Sequence, residues 1–195
     1  MSERVATTPG TRVVDGRQVP EVGTWEIDPS HQSFEFVARH LMHKVRGRFP
    51  AASGVATIAE RPEDSTLEIE IDASSIDTQD DTRDAHMRSN DFFGVEDHPT
   101  ISFRSTGVRP GDAENQWKVD GDLTVRGVTR PVTVDVEFNG GAIDPWGNQK
   151  IGFSGVVPEV DRREWGLTWN AALETGGFLL ARNVRLEIEA ELVKK

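Results

Sequence analysis

The chain has 195 residues, 22 basic against 33 acidic side chains, a formal net charge of −11 and no cysteine. Such a length suits one domain whose apolar core needs no staple, and the missing thiols exclude disulfides, cysteine nucleophiles and cysteine-held zinc or iron–sulfur centres. An acidic surface repels phosphate backbones and anionic membrane faces, so no nucleic-acid partner is expected.

Residues 1–23 are polar and interrupted by Pro9, Gly10, Gly16, Pro20 and Gly23. They read as a flexible N-terminal arm or an added edge segment, with the domain proper over 24–195. No basic start leads into an apolar run, so no secretory leader is expected. Nor does any stretch of about 18 apolar residues occur to insert in a membrane, and the expected location is cytoplasmic.

From Trp25 the apolar residues alternate with polar ones, the period of half-buried strands. The runs are Phe34/Phe36/Ala38, Val55/Thr57, Leu67/Ile69/Ile71 and Ile101/Phe103/Ser105, then Trp117 to Val125, Val132 to Phe138, Ile151 to Val157 and Val184 to Leu192. That makes eight strands. Their other faces carry Glu68, Glu70, Lys118, Asp120, Asp135, Glu137, Glu187, Glu189 and Glu191, so each strand has a dry side and a wet one. Turns are expected at Arg109–Asp112, Gly127–Arg130 and Gly140–Gly141. Between strands three and four lies the one helical stretch, near residues 80–94: Asp80 or Asp81 caps Thr82–Arg88, and Phe92 and Phe93 follow as a plug or lid. Eight antiparallel strands with one dry face bury it by closing into a barrel, with a two-sheet sandwich as the rival arrangement.

Several stretches together resemble the YceI-like, or polyisoprenoid-binding, family. They are Trp25-Glu-Ile-Asp-Pro-Ser-His31, Phe34-Glu-Phe-Val-Ala-Arg-His-Leu-Met42, Val45-Arg-Gly-Arg-Phe49, Ser75-Ile-Asp-Thr78, Arg83-Asp-Ala-His86, Asp91-Phe-Phe93 and Pro99-Thr-Ile-Ser-Phe103. The second half adds Gly121-Asp-Leu-Thr-Val-Arg-Gly-Val-Thr-Arg-Pro-Val132, Asp144-Pro-Trp-Gly147, Trp165-Gly-Leu-Thr-Trp-Asn170 and Glu174-Thr-Gly-Gly177. The resemblance runs in order from about Trp25 to Val193. It implies an all-β fold, an extended lipocalin-like eight-stranded antiparallel barrel around a hydrophobic channel. It also implies a bound isoprenoid, quinone or fatty-acyl chain as the hydrophobic partner, no cofactor, and compatibility with a homodimer. The family's Asn-Arg-x-Asp-Phe-Gly stretch stands here as Asp161-Arg-Arg-Glu-Trp-Gly166, at the expected channel mouth.

The aromatic set Phe34, Phe36, Phe49, Phe92, Phe93, Phe103, Phe153, Trp165 and Trp169 is the candidate channel lining, since flat rings suit the methyl branches and double bonds of an isoprenoid. His40, His43 and Arg46, in a basic stretch from Arg39 to Arg48, are the head-group candidates. Two histidines three apart without a third ligand do not make a metal site, and none is expected. Arg83, Asp84 and His86 invite an acid–base reading, but no nucleophile elbow stands beside them. An Arg83–Asp84 or Asp–His pairing that pins the helix to the barrel is the expectation. The function expected is binding, carrying or sequestering a long apolar chain, not catalysis. The alternatives are a fatty acid or fatty-acid amide as ligand, a stress-related interaction module with a filled barrel, and a lipid-modifying enzyme.

Overall fold

The structure, a computed structural model, describes residues 7–174 and 177–195. In chain order the elements are β1 (Thr11–Val14), β2 (Arg17–Pro20), β3 (Gly23–His40), β4 (His43–Arg48), β5 (Ala52–Ile58), β6 (Thr66–Asp72), α1 (Asp81–Arg88), β7 (Thr100–Pro110), β8 (Gln116–Val125), β9 (Val128–Ile143), β10 (Gln149–Asp161) and β11 (Leu180–Lys194).

All the expected strands form, and the sheet closes. Each strand from β5 to β11 pairs antiparallel with its neighbour in sequence, and β11 pairs back onto β3. The lower half of β3 pairs with β5 through Gly23–Glu26, and its upper half with β4 through Glu35–His40. β4 and β5 therefore share one position in an eight-stranded barrel. Closure removes the free edges that a sandwich would leave, except along β4, whose other side carries only the isolated Arg48–Asp77 bridge among the described residues.

The alternation dictates which face turns inward. In β6, Leu67, Ile69 and Ile71 are half-buried and Glu68 and Glu70 exposed; in β8, Trp117, Val119, Gly121 and Val125 are buried. Outside, opposite charges face each other across the ladder, as Arg104–Glu68 and Lys118–Asp135 do. Proline inside two strands is absorbed by irregular register. The β3–β11 pairing shifts between Ala190 and Leu192, opposite the Pro29 segment, and the β10–β11 pairing shifts across Pro158.

Each end has a cover. At the lower end β1 and β2 form a hairpin across the barrel, with Val19 1% exposed and Arg17 donating to the carbonyls of Ala113 and Gly111. The flexible arm expected over 1–23 is thus a packed hairpin over 11–20, turned tightly by Asp15 and Gly16, both at positive φ. Residues 1–6 of that arm lie outside the described residues. The turn expected at Gly140–Gly141 is instead continuous β9, and the chain reverses at Asp144–Asn148. What Gly141 supplies is clearance, since a Cβ there would stand 2.2 Å from the carbonyl oxygen of Pro9.

At the upper end α1, capped by Asp80 accepting from the Arg83 amide, leads into Phe92 and Phe93, both buried. The plug expected from these two phenylalanines is in place.

A Cβ on Gly121 would come within 2.3 Å of the Phe103 ring and 2.7 Å of a main-chain oxygen. Gly121→Ala should therefore cost about 1–3 kcal/mol through overpacking and lower the melting temperature by several degrees. An unchanged melting curve would show that Phe103 can swing aside.

Candidate functional site

Inside the barrel lies a cavity of about 820 Å3, bounded below by Val19 and Pro20 and above by α1, Phe92 and Phe93. Every one of the nine aromatic residues singled out from the sequence lines it. At the upper end Phe93 stands edge-on to Phe49 at 5.4 Å and tilted against Phe36 at 6.3 Å. Trp169 packs against His86 at 4.6 Å and Phe92 at 5.3 Å. Trp165 is anchored by its indole N–H, which donates to the Leu123 carbonyl at 3.0 Å. Along the wall, Phe34, Phe103 and Phe153 join aliphatic residues such as Ile69, Val134 and Ile188. Nothing among these offers a hydrogen bond, so the middle of the cavity receives apolar surface.

Polar side chains gather at the upper end. Arg162 is 7% exposed and lines the cavity. Its Nε donates to Ala181 O at 3.0 Å, and its Nη1 donates to Trp169 O at 3.0 Å and to Leu167 O. Among the described residues no carboxylate pairs with it and Nη2 takes no partner. Burial pushes its pKa downward, with Arg163 adding to the effect. Asp161, next in sequence, offsets part of that push, yet no carboxylate bonds the guanidinium directly, so this buried cation retains an attraction for an anion. Arg83 also lines the cavity, and its Nε and Nη2 donate to Oγ1 and O of Thr78, each at 2.7 Å.

The helix is pinned in part as expected. Buried Asp84 accepts from the Thr78 amide and hydroxyl at 2.8 and 2.6 Å, and His86 pairs with Asp91 at 2.9 Å. The Arg83–Asp84 pair does not form, because Asp84 faces the Ser75–Thr78 turn, and the Asp–His pairing forms with Asp91 as its acid.

The three head-group candidates are not brought together in the cavity. His40 lines its rim, with the ring of exposed His43 5.8 Å away. Arg46 lies on the outer wall, held by Glu35 at 3.0 Å and Glu187 at 2.5 Å. Its partners sit on neighbouring strands of the same wet face, which the alternation of β3 and β11 foreshadows. Arg162 is not among the candidates read from the sequence, because an arginine signals exposure, although the Asp161–Gly166 stretch that holds it is the one expected at the channel mouth.

Among the carboxylates whose pKa is lowered, Asp28 and Asp161, both outside the cavity, are shifted most. Arg163, then Arg182, lower the Asp161 pKa to about 2. Lys150, then Ser30, hold Asp28 well below the ordinary carboxylate range. The Lys150 ammonium lies 2.7 Å from Asp28 and 3.0 Å from Glu191, tying β3, β10 and β11 together in the position a cation would take beside Asp28, His31 and Glu191. A depressed carboxylate stabilises the fold above its unfolded pKa and loses that contribution as pH falls through the folded value. The melting temperature should therefore drop steadily from about pH 4 to about pH 2, and Asp161→Asn should flatten that slope. A slope that Asp161→Asn leaves unaltered would assign the acid lability elsewhere.

A closed antiparallel barrel around an apolar cavity with polar groups at one end defines a small-ligand-binding barrel. The YceI-like domain family matches residues 25–192, and the chain belongs to that family. Among its relatives, a UPF0312 protein of Staphylococcus aureus is 40% identical over 168 residues, covering 85% of this chain and 94% of its own. Among solved structures, the YCEI protein of Campylobacter jejuni is 27% identical, with a TM-score of 0.67 over 80% of this chain and 90% of its own. BcnA of Burkholderia cenocepacia shares the fold at 20% identity, with a TM-score of 0.74 over 85% of this chain and 98% of its own. A polyisoprenoid-binding domain from Saccharophagus degradans, implicated in plant cell wall breakdown, shares it at 15% identity, with a TM-score of 0.62 over 90% of this chain and all of its own. Among the described residues no helix is long and apolar enough to cross a membrane.

Proposed function

We propose that this protein binds and carries one long apolar chain, an isoprenoid or a similar lipid, in the barrel, with the head group at the α1 end. The observation that carries this reading is the 820 Å3 cavity, apolar along its length and polar at one end. That volume falls within the range of about 300–1,000 Å3 typical of small-molecule sites. Each Å2 of chain surface removed from water contributes roughly 25 cal/mol, so a long tail binds without polar contacts. The polyisoprenoid-binding description of the Saccharophagus degradans domain supports the ligand class. Arg162 suits a phosphate or a carboxylate, which keeps a fatty acid as the second candidate.

Organic extraction of the purified protein followed by mass spectrometry tests the class directly: a co-purifying prenyl or acyl lipid is expected. Titration gives the second test. Trp117, Trp165 and Trp169 line the cavity, so a prenyl compound should change tryptophan emission and raise the melting temperature. No response to prenyl, quinone or fatty-acyl compounds would leave the barrel without this function.

A further inference from the structure

The β3–β4 hairpin ends in a tip that the fold alone does not explain. Its turn residues are Leu41 and Met42, 45% and 93% exposed, where a tight turn ordinarily places glycine or asparagine. Leu41 holds φ at +52°, a left-handed conformation disfavoured for a leucine. Strain of this kind persists where a side chain is wanted for something other than folding. The Leu41 amide donates to Leu179 O at 3.0 Å, joining the tip to the loop that carries Phe178, itself 69% exposed. Three large apolar side chains thus project at one corner of the barrel.

Directly below the tip His40 and His43 face each other across the ladder, and Arg39 and Lys44, both exposed, form the next pair. Like charges directly opposite each other repel. Arg109 and Lys118 also oppose each other, but Asp120 and Asp135 answer them. Among the described residues no carboxylate pairs with Arg39 or Lys44. In a chain of net charge −11 this local cation pair is an exception. His40, between pair and tip, lines the cavity rim together with Leu179 and Leu180.

We propose that the Leu41–Met42 tip, with Phe178 and the Arg39–Lys44 pair, docks the barrel on a phospholipid bilayer so that the cavity rim meets the lipid. The inference rests on the carrier reading: an apolar cargo is insoluble in water, and a carrier that meets the membrane beside its cavity wall at His40, Leu179 and Leu180 shortens that crossing. Apolar side chains enter the interface while the cations behind them meet lipid phosphates, as in interfacial anchors. The acidic remainder of the surface, including Asp80 and Asp81 at the same end, keeps the contact local and reversible.

Flotation with vesicles of an equal mixture of phosphatidylcholine and phosphatidylglycerol tests this. The wild-type protein should float, and Met42→Ser with Phe178→Ser should weaken binding at least about tenfold. Arg39→Gln with Lys44→Gln should weaken it on these vesicles more than on phosphatidylcholine alone. Trp146→Ser, at the exposed turn of the opposite end, should leave it unchanged. Prenyl-compound titration in detergent, unaltered in the tip variants, separates docking from cargo binding, so that failure of either idea is seen by itself. The proposal is overturned if wild type does not float, if the tip variants float equally, if Trp146→Ser removes binding, or if the tip instead joins two copies in light scattering and the double variant makes them monomeric.

Discussion

Val134→Trp should lower affinity for a prenyl chain by at least about a hundredfold while changing stability little. Val134 lines the cavity from the middle of β9, opposite Val119, and its Cγ1 is 3.2 Å from where a Cβ on Gly155 would stand. An indole placed there enters space that the protein does not itself fill. In a packed interior the same change would cost about 1–3 kcal/mol, because extra atoms force neighbours off their rotamers. The two measurements decide between a channel and a filled core: tryptophan-monitored titration with a prenyl alcohol, and thermal melting. Lost binding with a native melting temperature fits the carrier. A melting temperature lower by several degrees with binding retained would mean that the cavity collapses on itself and the apolar wall is structural.

Much of the wall was legible beforehand, for a physical reason. Period-two alternation dictates the facing of a strand, so Phe34, Phe103 and Phe153 could be placed inward from sequence alone, and closure follows from having eight such strands. Connections between strands obey no period. Gly140 and Gly141 look like a turn, yet β9 passes straight through them, because the need they meet is clearance for the chain near Pro9. Charge misled in the same way. Arg46 stands among basic residues in sequence, but its neighbours across the ladder are acidic. Arg162 looks like any arginine, and its burial arises from the chain between β10 and β11 folding over it, a long-range event. The aromatic half of the site is therefore a property of strand pattern, and the polar half a property of loops. Of the Glu174-Thr-Gly-Gly177 stretch in that connection, residues 175 and 176 lie outside the described residues.

Replacing Arg162 should have the largest effect on head-group choice. Its guanidinium donates to two main-chain carbonyls of the β10–β11 connection and one of β11 and, among the described residues, to no carboxylate, Asp161 acting on it without a direct bond. An anionic head group at the upper end of the cavity would supply the missing countercharge through charge-assisted hydrogen bonds, each roughly twice as strong as a neutral one. Wild type should therefore bind a prenyl phosphate about ten- to a hundredfold more tightly than the matching alcohol, a difference of roughly 1.4–2.8 kcal/mol. Arg162→Met should bring the two affinities together. It also strands the carbonyls of Leu167, Trp169 and Ala181, at about 1–3 kcal/mol for each that stays buried, so some loss of stability accompanies it. Arg162→Lys keeps the charge while losing part of the hydrogen bonding, and should retain a reduced preference for the phosphate. Arg46→Ala, by contrast, removes an outer-wall ion pair and should alter neither affinity. Equal affinities for phosphate and alcohol in wild type, or a preference that survives in Arg162→Met, would remove Arg162 from the head-group site and leave the shape of the apolar chain as the recognised feature.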